Sequence, residues 1–257
     1  MSGSLGPASG SLRRSWRLLD DVDRGLDAAA QMAADEALLD EVAAGAPPAL
    51  RLYRWSPPAL SLGRFQPDDD VDADACARLG VEIVRRPTGG RGVLHGGDLT
   101  YAVAMPRPAG PEGGVDEVYR QLAAGLIAGL ARLGVEAAVA RRDGPAGPVC
   151  FAGQQGADLR VGDRKLCGSA QVRRAGAVLQ HGSVLRRRLP FDETHLLAAR
   201  SGAPAVTSAR LRAATVTLEE LGAPSGAHEV ARALVEGFAA ALDLDLRERV
   251  GSTARRG

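Results

Sequence analysis

The sequence predicts an α+β fold, a mixed central β-sheet flanked by helices. Segments with the alternating pattern of strands fill the middle of the chain, and segments with helical spacing lie on both sides of them. The 257 residues suffice for one large domain. We therefore expect a disordered segment over 1–14, a single domain with a helical C-terminal part over 15–245, and a flexible tail over 246–257.

The first half of the chain alternates between helix and strand. Helices are predicted over 25–44, which ends before Gly45 and two prolines, and over 70–79, with Gly80 as the C-cap. Strands are predicted over 50–55, 59–62, 81–86 and 99–105. We expect the first helix to bury the apolar residues that are spaced at helical intervals along it, which are Leu26, Ala30, Ala33, Ala37 and Leu38.

In the second half, strands come first and helices follow. A long helix over 118–133 leads to a strand over 135–140 and to a loop over 141–148 that holds two glycines and two prolines. Three strands are then predicted over 158–161, 164–171 and 177–185, joined by tight turns. Helices are predicted over 192–200, 215–222 and 226–242.

Composition excludes several classes of protein. A net charge of +1 and an aromatic content of 4% argue against a nucleic-acid partner. The chain has no run of about 18 apolar residues, so we expect no membrane span. The three cysteines, Cys76, Cys150 and Cys167, are an odd number without a signal peptide, which favours a reduced, cytoplasmic protein.

Lys165 is the only lysine in the chain, and the other basic residues are arginines. Lysine is a compact charge whose pKa burial can lower, whereas arginine is a planar fork that keeps its proton. Chance survival on a surface is one explanation. The surrounding stretch, from Asp163 to Gln171, instead places Lys165, Cys167 and Ser169 on one face of a strand. A lysine on a sheet face needs a partner or a ligand, which favours a chemical role.

Two further segments carry candidate binding residues. The glycine-rich stretch from Arg85 to His95 follows a strand, and its backbone can approach a ligand closely. It is a turn with solvated arginines in the simpler interpretation, and it matches neither a phosphate loop nor a dinucleotide fingerprint. The second segment, Gln180 to Ser183, lies on the strand after Lys165, so a hairpin would bring His181 near the lysine strand.

These motifs together resemble the biotin/lipoate A/B protein ligase superfamily. The matching stretches are RRPTGGRGVLH with DLTY after it, RKLCGSAQ, LQHGSVL, and upstream MAADEALL and LRLYRWSPPALSLGRFQ. The resemblance extends over residues 25–190 and implies a ligase-like catalytic domain with a tunnel for a medium-length acyl chain. Asp98 stands where the superfamily usually has Glu.

Within that superfamily the chain is most similar to the cysteine-dependent octanoyltransferases of the lipoate–protein-ligase-like type. These carry a Cys-Phe pair before the lysine hairpin, as Cys150-Phe151 does here. The resemblance implies that Cys150 is the nucleophile and that Lys165 contacts the acyl carbonyl. Implied substrate-binding residues are Arg86, Thr88, Gly89, Gly90, His95, Gly168, Ser169, Ala170, Gln171, His181 and Gly182.

The implied reaction transfers an octanoyl group from acyl carrier protein to a lysine of a lipoyl domain or glycine-cleavage H protein. It implies a monomer that uses no metal and no cofactor. We expect Cys167 and Cys76 to be packing residues. Arginines also flank the hairpin, and they form either a solvated face or a docking site for an acidic carrier protein: Arg173, Arg174 and Arg186 to Arg188.

Three alternatives stay open. An ATP-dependent lipoate–protein ligase would use ATP and Mg²⁺ and leave Cys150 without a role. An amidotransferase would move octanoyl or lipoyl groups between proteins through the same cysteine. A binding protein without turnover is the third, and the retention of the single lysine argues against it.

Overall fold

The computed structural model describes residues 13–140, 158–197 and 207–248, and within them eleven strands form two sheets with five α-helices around them. The strands are β1 (Arg14–Asp21), β2 (Ala49–Tyr53), β3 (Ala59–Leu62), β4 (Glu82–Arg85), β5 (Val93–His95), β6 (Asp98–Pro106), β7 (Ala138–Val139), β8 (Leu159–Val161), β9 (Arg164–Arg174), β10 (Ala177–Leu185) and β11 (Leu244–Glu248). The helices are α1 (Ala28–Ala43), α2 (Ala73–Leu79), α3 (Val115–Arg132), α4 (Ser208–Ala214) and α5 (Ala227–Ala241).

The larger sheet has the strand order β11-β1-β2-β6-β10-β9-β8-β7. β1 is parallel to both of its neighbours, and the remaining pairs are antiparallel. β9 and β10 form the predicted hairpin, and both residues of its turn, Ala175 and Gly176, have positive φ angles of 48° and 78°. Such a turn matches the twist of the strands, so the register is fixed and His181 lies opposite Ala170.

A smaller sheet has the order β4-β3-β5, with β3 parallel to β4 and antiparallel to β5. The glycine-rich stretch connects β4 to β5, and β5 leads directly into β6 of the large sheet. Helix α2 before β4 is capped at its N-terminus by Asp72, whose side chain accepts a hydrogen bond from the Ala75 amide at 2.8 Å. Its C-cap is Gly80, which has the left-handed conformation expected at that position.

The two faces of the large sheet carry separate cores. Helices α3 and α5 pack against each other on one face, over Leu99, Tyr101 and Val103 of β6. Helix α1 covers the opposite face, over Ala102 and Ala104 of the same strand. Because successive residues of a strand point to opposite faces, β6 presents large side chains to one core and small ones to the other.

The prediction for helix α1 was right about its existence and about the burial of Leu38, and wrong about the burial of Ala33 and Ala37. Ala33 and Ala37 are exposed, whereas Gln31 and Asp35 are fully buried. The polar pair is buried because Arg51 of β2 lies beneath the helix and hydrogen-bonds to both side chains. A carboxylate that finds a buried cation partner can occupy a position that the apolar pattern assigns to solvent.

Several elements differ from the prediction. Strands β1, β5 and β11 and helix α4 were not predicted, and β11 (Leu244–Glu248) includes residues 246–248, where a flexible tail was expected. The helix predicted over 215–222 is wrong, since Thr215 pairs with Lys165 in a β-bridge and the helix α4 ends before it. Of the predicted helix 192–200, the described part has one short turn of helix, Glu193–His195.

In the described ranges, no helix combines the length and the apolar character that crossing a membrane requires.

Candidate active site

A cavity of about 210 Å³ is enclosed by helix α1, the small sheet with its glycine-rich turn, and the middle of the large sheet. The predicted binding residues that line it are Arg86, Gly89, Gly90, His95, Gly168, Ser169, Ala170, Gln171, His181 and Gly182. Other residues that line it are Met32, Tyr53, Trp55, Ser61, Val93, Thr100, Tyr119, Asp158 and Ser183. Motifs that are far apart in sequence therefore meet around one space.

The glycine-rich turn is held in shape by the guanidinium of Arg86. Its N–H groups donate to the carbonyl oxygens of Ser61, Gly89 and Arg91, each at 2.8 Å, and its remaining contacts include Ser61 Oγ at 3.2 Å. Gly90 has a φ angle of 99°, and a side chain there would run into the Arg86 guanidinium at 2.7 Å. Arg86 thus lines the cavity, but it uses its donors to fold the turn.

His181 lies on β10 and faces the cavity with both ring nitrogens engaged. Its Nδ1 is 2.9 Å from Asp35 Oδ2, and its Nε2 is 2.7 Å from Thr88 Oγ1. Asp35 also accepts hydrogen bonds from the Tyr53 hydroxyl and from Arg51, both at 2.8 Å. The predicted binding residues Thr88 and His181 therefore bond to each other, and Thr88 stands behind the cavity wall.

His95 forms a second, similar arrangement at the other side of the small sheet. Its Nδ1 is 2.8 Å from Asp98 Oδ2 and its Nε2 is 2.9 Å from Ser61 Oγ, while its ring stacks on Trp55 with the ring centroids 4.2 Å apart. Burial raises the pKa of Asp98, but the charge of His95 and the hydrogen bonds that Asp98 accepts from His95 and from the Ser183 hydroxyl outweigh burial and lower that pKa to about 2. Asp98 is thus an ionised carboxylate that orients the ring.

Lys165 is buried, with 1% of its surface exposed, and its Nζ lies 2.9 Å from Asp158 Oδ2. Asp158 is itself buried and lines the cavity, so it places the ammonium group directly behind the cavity wall. Removing either partner would leave a buried charge without its counter-ion, which is strongly unfavourable. The expectation that a lysine on this sheet face needs a partner is confirmed, and the partner, Asp158, was not predicted.

The structure describes two of the three cysteines. Cys76 and Cys167 are buried free thiols, and burial together with the charge of Asp158 raises the pKa of Cys167 to about 12. Cys167 is therefore a protonated packing residue at neutral pH, as the sequence predicted. Cys150 lies outside the described residues. The residues on either side of that stretch are close together, since Ala140 N donates to Asp158 O at 2.8 Å.

The arginines near the hairpin are mostly tied to the protein. Arg173 donates to the carbonyls of Gly113 and Gly114, and Arg174 pairs with Asp40. Arg186 is buried and donates to carbonyl oxygens, including that of Asp98, and Arg188 pairs with Glu220. Arg187 is exposed. The cluster is therefore not a uniformly solvated face, since Arg186 is buried, and docking of a carrier protein on the exposed Arg174 and Arg187 stays a prediction.

A chain of hydrogen bonds crosses the sheet behind the predicted GSAQ residues. The Tyr101 hydroxyl lies 2.8 Å from Ser169 Oγ and accepts from Gln180 at 2.7 Å, and Gln180 in turn accepts from Gln171 at 2.8 Å. Burial raises the pKa of the Tyr101 hydroxyl well above its usual range, so it stays protonated. Ser169 and Gln171 are thus fixed by the sheet before any ligand enters.

Comparison with known proteins places this geometry in a family. Residues 27–239 match the family described as the lipoyl protein ligase A/B catalytic domain. The chain belongs to that family. The predicted superfamily and fold class are thereby confirmed, and the cavity lies within the matched part of this lipoyl protein ligase A/B domain.

Individual relatives agree with the family match. The octanoyltransferase LipM of Symbiobacterium thermophilum is 44% identical over 250 residues, which cover 91% of this chain and 89% of that protein. The octanoyltransferase LipM of Kyrpidia tusciae is 42% identical over 245 residues, which cover 89% of this chain and 88% of the relative.

Solved structures of the lipoyl protein ligase A/B family share the fold. A lipoate-protein ligase A bound with ATP has a TM-score of 0.74 at 26% identity, over 93% of this chain and 89% of that chain. A bipartite lipoate protein ligase from Thermoplasma acidophilum has a TM-score of 0.71 at 26% identity, over 91% of this chain and 86% of that chain. Transferases and ligases are thus both similar to the chain, and the site must distinguish them.

Several residues of the site carry no signal in the sequence. Tyr53 and Ser61 sit in apolar strands, and Asp35 lies in the middle of an amphipathic helix. Asp158 stands just before the Lys165 strand, and a search for the counter-ion of the single lysine could have found it. Among the described residues, no three His, Cys, Asp or Glu side chains are grouped closely enough to hold a metal ion.

Proposed function

We propose that the chain is an octanoyltransferase of lipoate biosynthesis, which moves an octanoyl group from acyl carrier protein to a lysine of a lipoyl domain or H protein. The observation that carries the proposal is the similarity to octanoyltransferases LipM at 40–44% identity over about nine-tenths of both chains. A cavity lined by both apolar and polar side chains, with a buried Lys–Asp pair at its wall, supports it.

In the proposed reaction, the Cys150 thiolate attacks the carbonyl carbon of the carrier thioester. A new carbon–sulfur bond forms, the carrier thiol leaves with the proton of the Cys150 thiol, and the octanoyl chain is now held as an acyl-enzyme. The amine of the acceptor lysine then attacks this thioester. The amide bond forms, Cys150 leaves as the thiol, and the proton lost by the amine restores it.

Lys165 is the second catalytic residue of the proposal. Its ammonium group can donate a hydrogen bond to the oxygen that becomes negative as either thioester is attacked. Asp158 keeps the ammonium in place and lies on the cavity wall at 2.9 Å from it. The position of Asp158 also supports the role of Cys150, because the chain enters and leaves residues 141–157 at the Ala140–Asp158 hydrogen bond, beside the cavity.

The two histidines have a different role in this proposal. Both ring nitrogens of His95 and of His181 are bonded to protein groups. They therefore form fixed walls against which the acyl chain packs, and substrate polar groups need not contact their nitrogens. Glycines of the turn and of β9 have no side chains, and this leaves the space that the octanoyl chain of the substrate would occupy.

The proposal includes a monomeric cytoplasmic enzyme that needs no cofactor. The alternative is an ATP-dependent lipoate–protein ligase, which the similarity to an ATP-bound ligase structure favours. The two reactions differ in the donor. A ligase would require free acid, ATP and Mg²⁺, and an amidotransferase would require an already modified protein.

The test offers one donor at a time to the purified chain with an apo-lipoyl domain. We expect octanoylation of the domain with octanoyl-acyl carrier protein in the absence of ATP. Modification with free octanoic acid and ATP alone would establish the ligase instead. Transfer from octanoyl-H protein alone would establish the amidotransferase, and modification under none of these conditions would contradict all three activities.

A further inference from the structure

Asp35 is a fully buried carboxylate in the middle of helix α1 that the proposed chemistry does not use. It accepts three hydrogen bonds, from His181 Nδ1 at 2.9 Å, from the Tyr53 hydroxyl at 2.8 Å and from Arg51 Nη1 at 2.8 Å. Burial raises its pKa, but the bonds and charges of His181 and Arg51 outweigh burial and lower it. The group is therefore ionised at neutral pH.

Two of the three donors form part of the cavity wall. Tyr53 and His181 line the cavity, and His181 continues through its Nε2 to Thr88 Oγ1 at 2.7 Å. Thr88 belongs to the glycine-rich turn, and its carbonyl oxygen accepts from the Arg64 amide at 2.9 Å. One carboxylate thus connects helix α1 to the large sheet and, through His181, to the turn of the small sheet.

The carboxylate also decides the protonation of the ring. A carboxylate can accept and cannot donate, so His181 Nδ1 must carry the proton. In the neutral ring, Nε2 is then the acceptor for the Thr88 hydroxyl. This tautomer fixes the direction of the hydroxyl and the position of the turn at the cavity.

A buried ion pair is rarely the most stable way to fill such a space. Replacing a buried pair with apolar residues of similar volume is often neutral or stabilising, so its presence favours a role other than stability. Arg51 is fully buried with Asp35, and its guanidinium also donates to Gln31. The charges lie directly behind the wall against which an acyl chain would pack.

We propose that Asp35 is a positioning residue of octanoyl transfer, acting through His181 and Tyr53 to fix one wall of the acyl cavity and the glycine-rich turn. The inference rests on the proposed function, because it assigns the cavity to the acyl chain. In this proposal Asp35 takes no part in forming or breaking bonds, but it is needed to hold the reacting groups in the correct geometry.

The test replaces Asp35 by Asn, which has nearly the same shape. With its amide nitrogen towards Arg51, two donors would face each other, and with the nitrogen towards His181 the ring must adopt the other tautomer. We expect kcat/KM for octanoyl-acyl carrier protein to fall by about 10- to 100-fold, as misplacement of a bound group does. The same protein should show His181 with the proton on Nε2 in nitrogen-15 NMR spectra, which are simple because the chain has four histidines.

A double-mutant cycle with His181→Gln separates positioning from general stability. If Asp35 acts through His181, the two losses in kcat/KM should overlap, so that the double variant is about as active as His181→Gln alone. The matched control is Asp40→Asn, which removes an exposed carboxylate of the same helix. It should leave kcat/KM and the ring tautomer unchanged.

Several results would overturn the inference. They are wild-type kcat/KM in Asp35→Asn, an unchanged His181 tautomer, or losses that add in the double variant.

If Asp35→Asn does not fold, Thr88→Val breaks the far end of the same chain of bonds and should lower kcat/KM about 10-fold without lowering Tm. A wild-type protein that transfers no octanoyl group would refute the proposed function instead. In that case, the affinity for octanoic acid, measured by calorimetry, tests Asp35 directly, and an equal affinity of wild type and Asp35→Asn would refute its positioning role.

Discussion

The two faces of the large sheet are built from the same strands but differ in the side chains that they present. On the face covered by α3 and α5, β6 contributes Leu99, Tyr101 and Val103 to an apolar core. On the opposite face, the same strand contributes Thr100 and two alanines, and the neighbouring space holds buried charges and histidines. Large side chains thus build stability on one face, and small ones leave room for a polar-walled cavity on the other.

The comparison shows how a closely packed core can support a site in which charged groups are buried at a cost in stability. The helix face is so closely packed that glycines are required where α3 meets α5, since a side chain at Gly237 would overlap Gly129 and lie 2.5 Å from the Gly125 carbonyl. The site face contains the buried charges of Asp35 and Arg51, and the buried Lys165 borders the cavity through its ion pair with Asp158. Changes around the cavity should therefore affect turnover, and changes where α3 meets α5 should affect stability.

The largest effect is expected for Lys165→Arg on the cavity side. Arginine keeps the charge but is wider and cannot present a single compact ammonium, so we expect turnover to fall by about 10³-fold or more. Octanoyl transfer to a lipoyl domain measures it, and circular dichroism checks the fold.

The matched control for this prediction is the double variant Arg164→Lys with Lys165→Arg. It has the composition of the wild type but moves the amine by one residue, to the other face of the strand. It should be as inactive as the single variant. Activity near that of the wild type in either protein would contradict the role given to Lys165.

The helix face is tested by Gly237→Val. The added side chain would force α3 and α5 apart, and we expect a loss of about 3 kcal/mol in the free energy of unfolding in urea. Activity per folded molecule should not change, because neither Gly237 nor the α3 glycines that it contacts, Gly125 and Gly129, line the cavity. Arg232→Ala, on the exposed side of the same helix, is the control and should change neither quantity. A Gly237→Val protein with wild-type stability would show that the helix contact is not as close as described.

A smaller effect is expected at Glu193, whose carboxyl is buried near β5 and accepts a long bond, 3.4 Å, from the Leu94 amide. Burial raises the pKa of Glu193 from 4.5 to about 7. Between those values the folded protein holds a proton that the unfolded chain has lost. The free energy of unfolding therefore falls as the pH rises through this window and is level above it.

Glu193→Gln should remove this dependence. The amide keeps the acceptor for Leu94 but has no charge to bury, so the variant should be more stable than the wild type at pH 8, by on the order of 1–2 kcal/mol, and equal to it at pH 4. Urea unfolding at both pH values measures the difference. If the free energies of unfolding of the two proteins change in parallel from pH 4 to 8, the buried carboxyl of Glu193 is not the cause of the pH dependence.

The sequence predicted those parts of the fold and site whose local pattern agrees with their surroundings. The β9–β10 hairpin alternates and has a turn that suits it, so its register and the approach of His181 to the lysine strand were predictable. The glycine-rich turn was recognisable because three of four consecutive residues, Gly89, Gly90 and Gly92, are glycines. Lys165 was marked by being the only lysine.

What the sequence did not predict depends on partners that are distant along the chain. Asp35 lies on an amphipathic helix and was therefore expected to be exposed, and its burial depends on donors from two strands, Arg51, Tyr53 and His181. β11 was missed because three of its five residues are charged and the strand is held by pairing with β1, at the other end of the chain. Thr215 was assigned to a helix because nothing near it in sequence reveals its bridge to Lys165.

The central claim is that the octanoyl group passes through Cys150. The direct measurement is the intact mass of the protein after mixing with octanoyl-acyl carrier protein without ATP, for wild type and Cys150→Ala, before and after treatment with hydroxylamine. We predict one octanoyl adduct on the wild type, released by hydroxylamine as a thioester is, and none on Cys150→Ala. An adduct that persists in Cys150→Ala, or a wild type that stays unmodified yet octanoylates the lipoyl domain when ATP and free acid are added, would contradict the account.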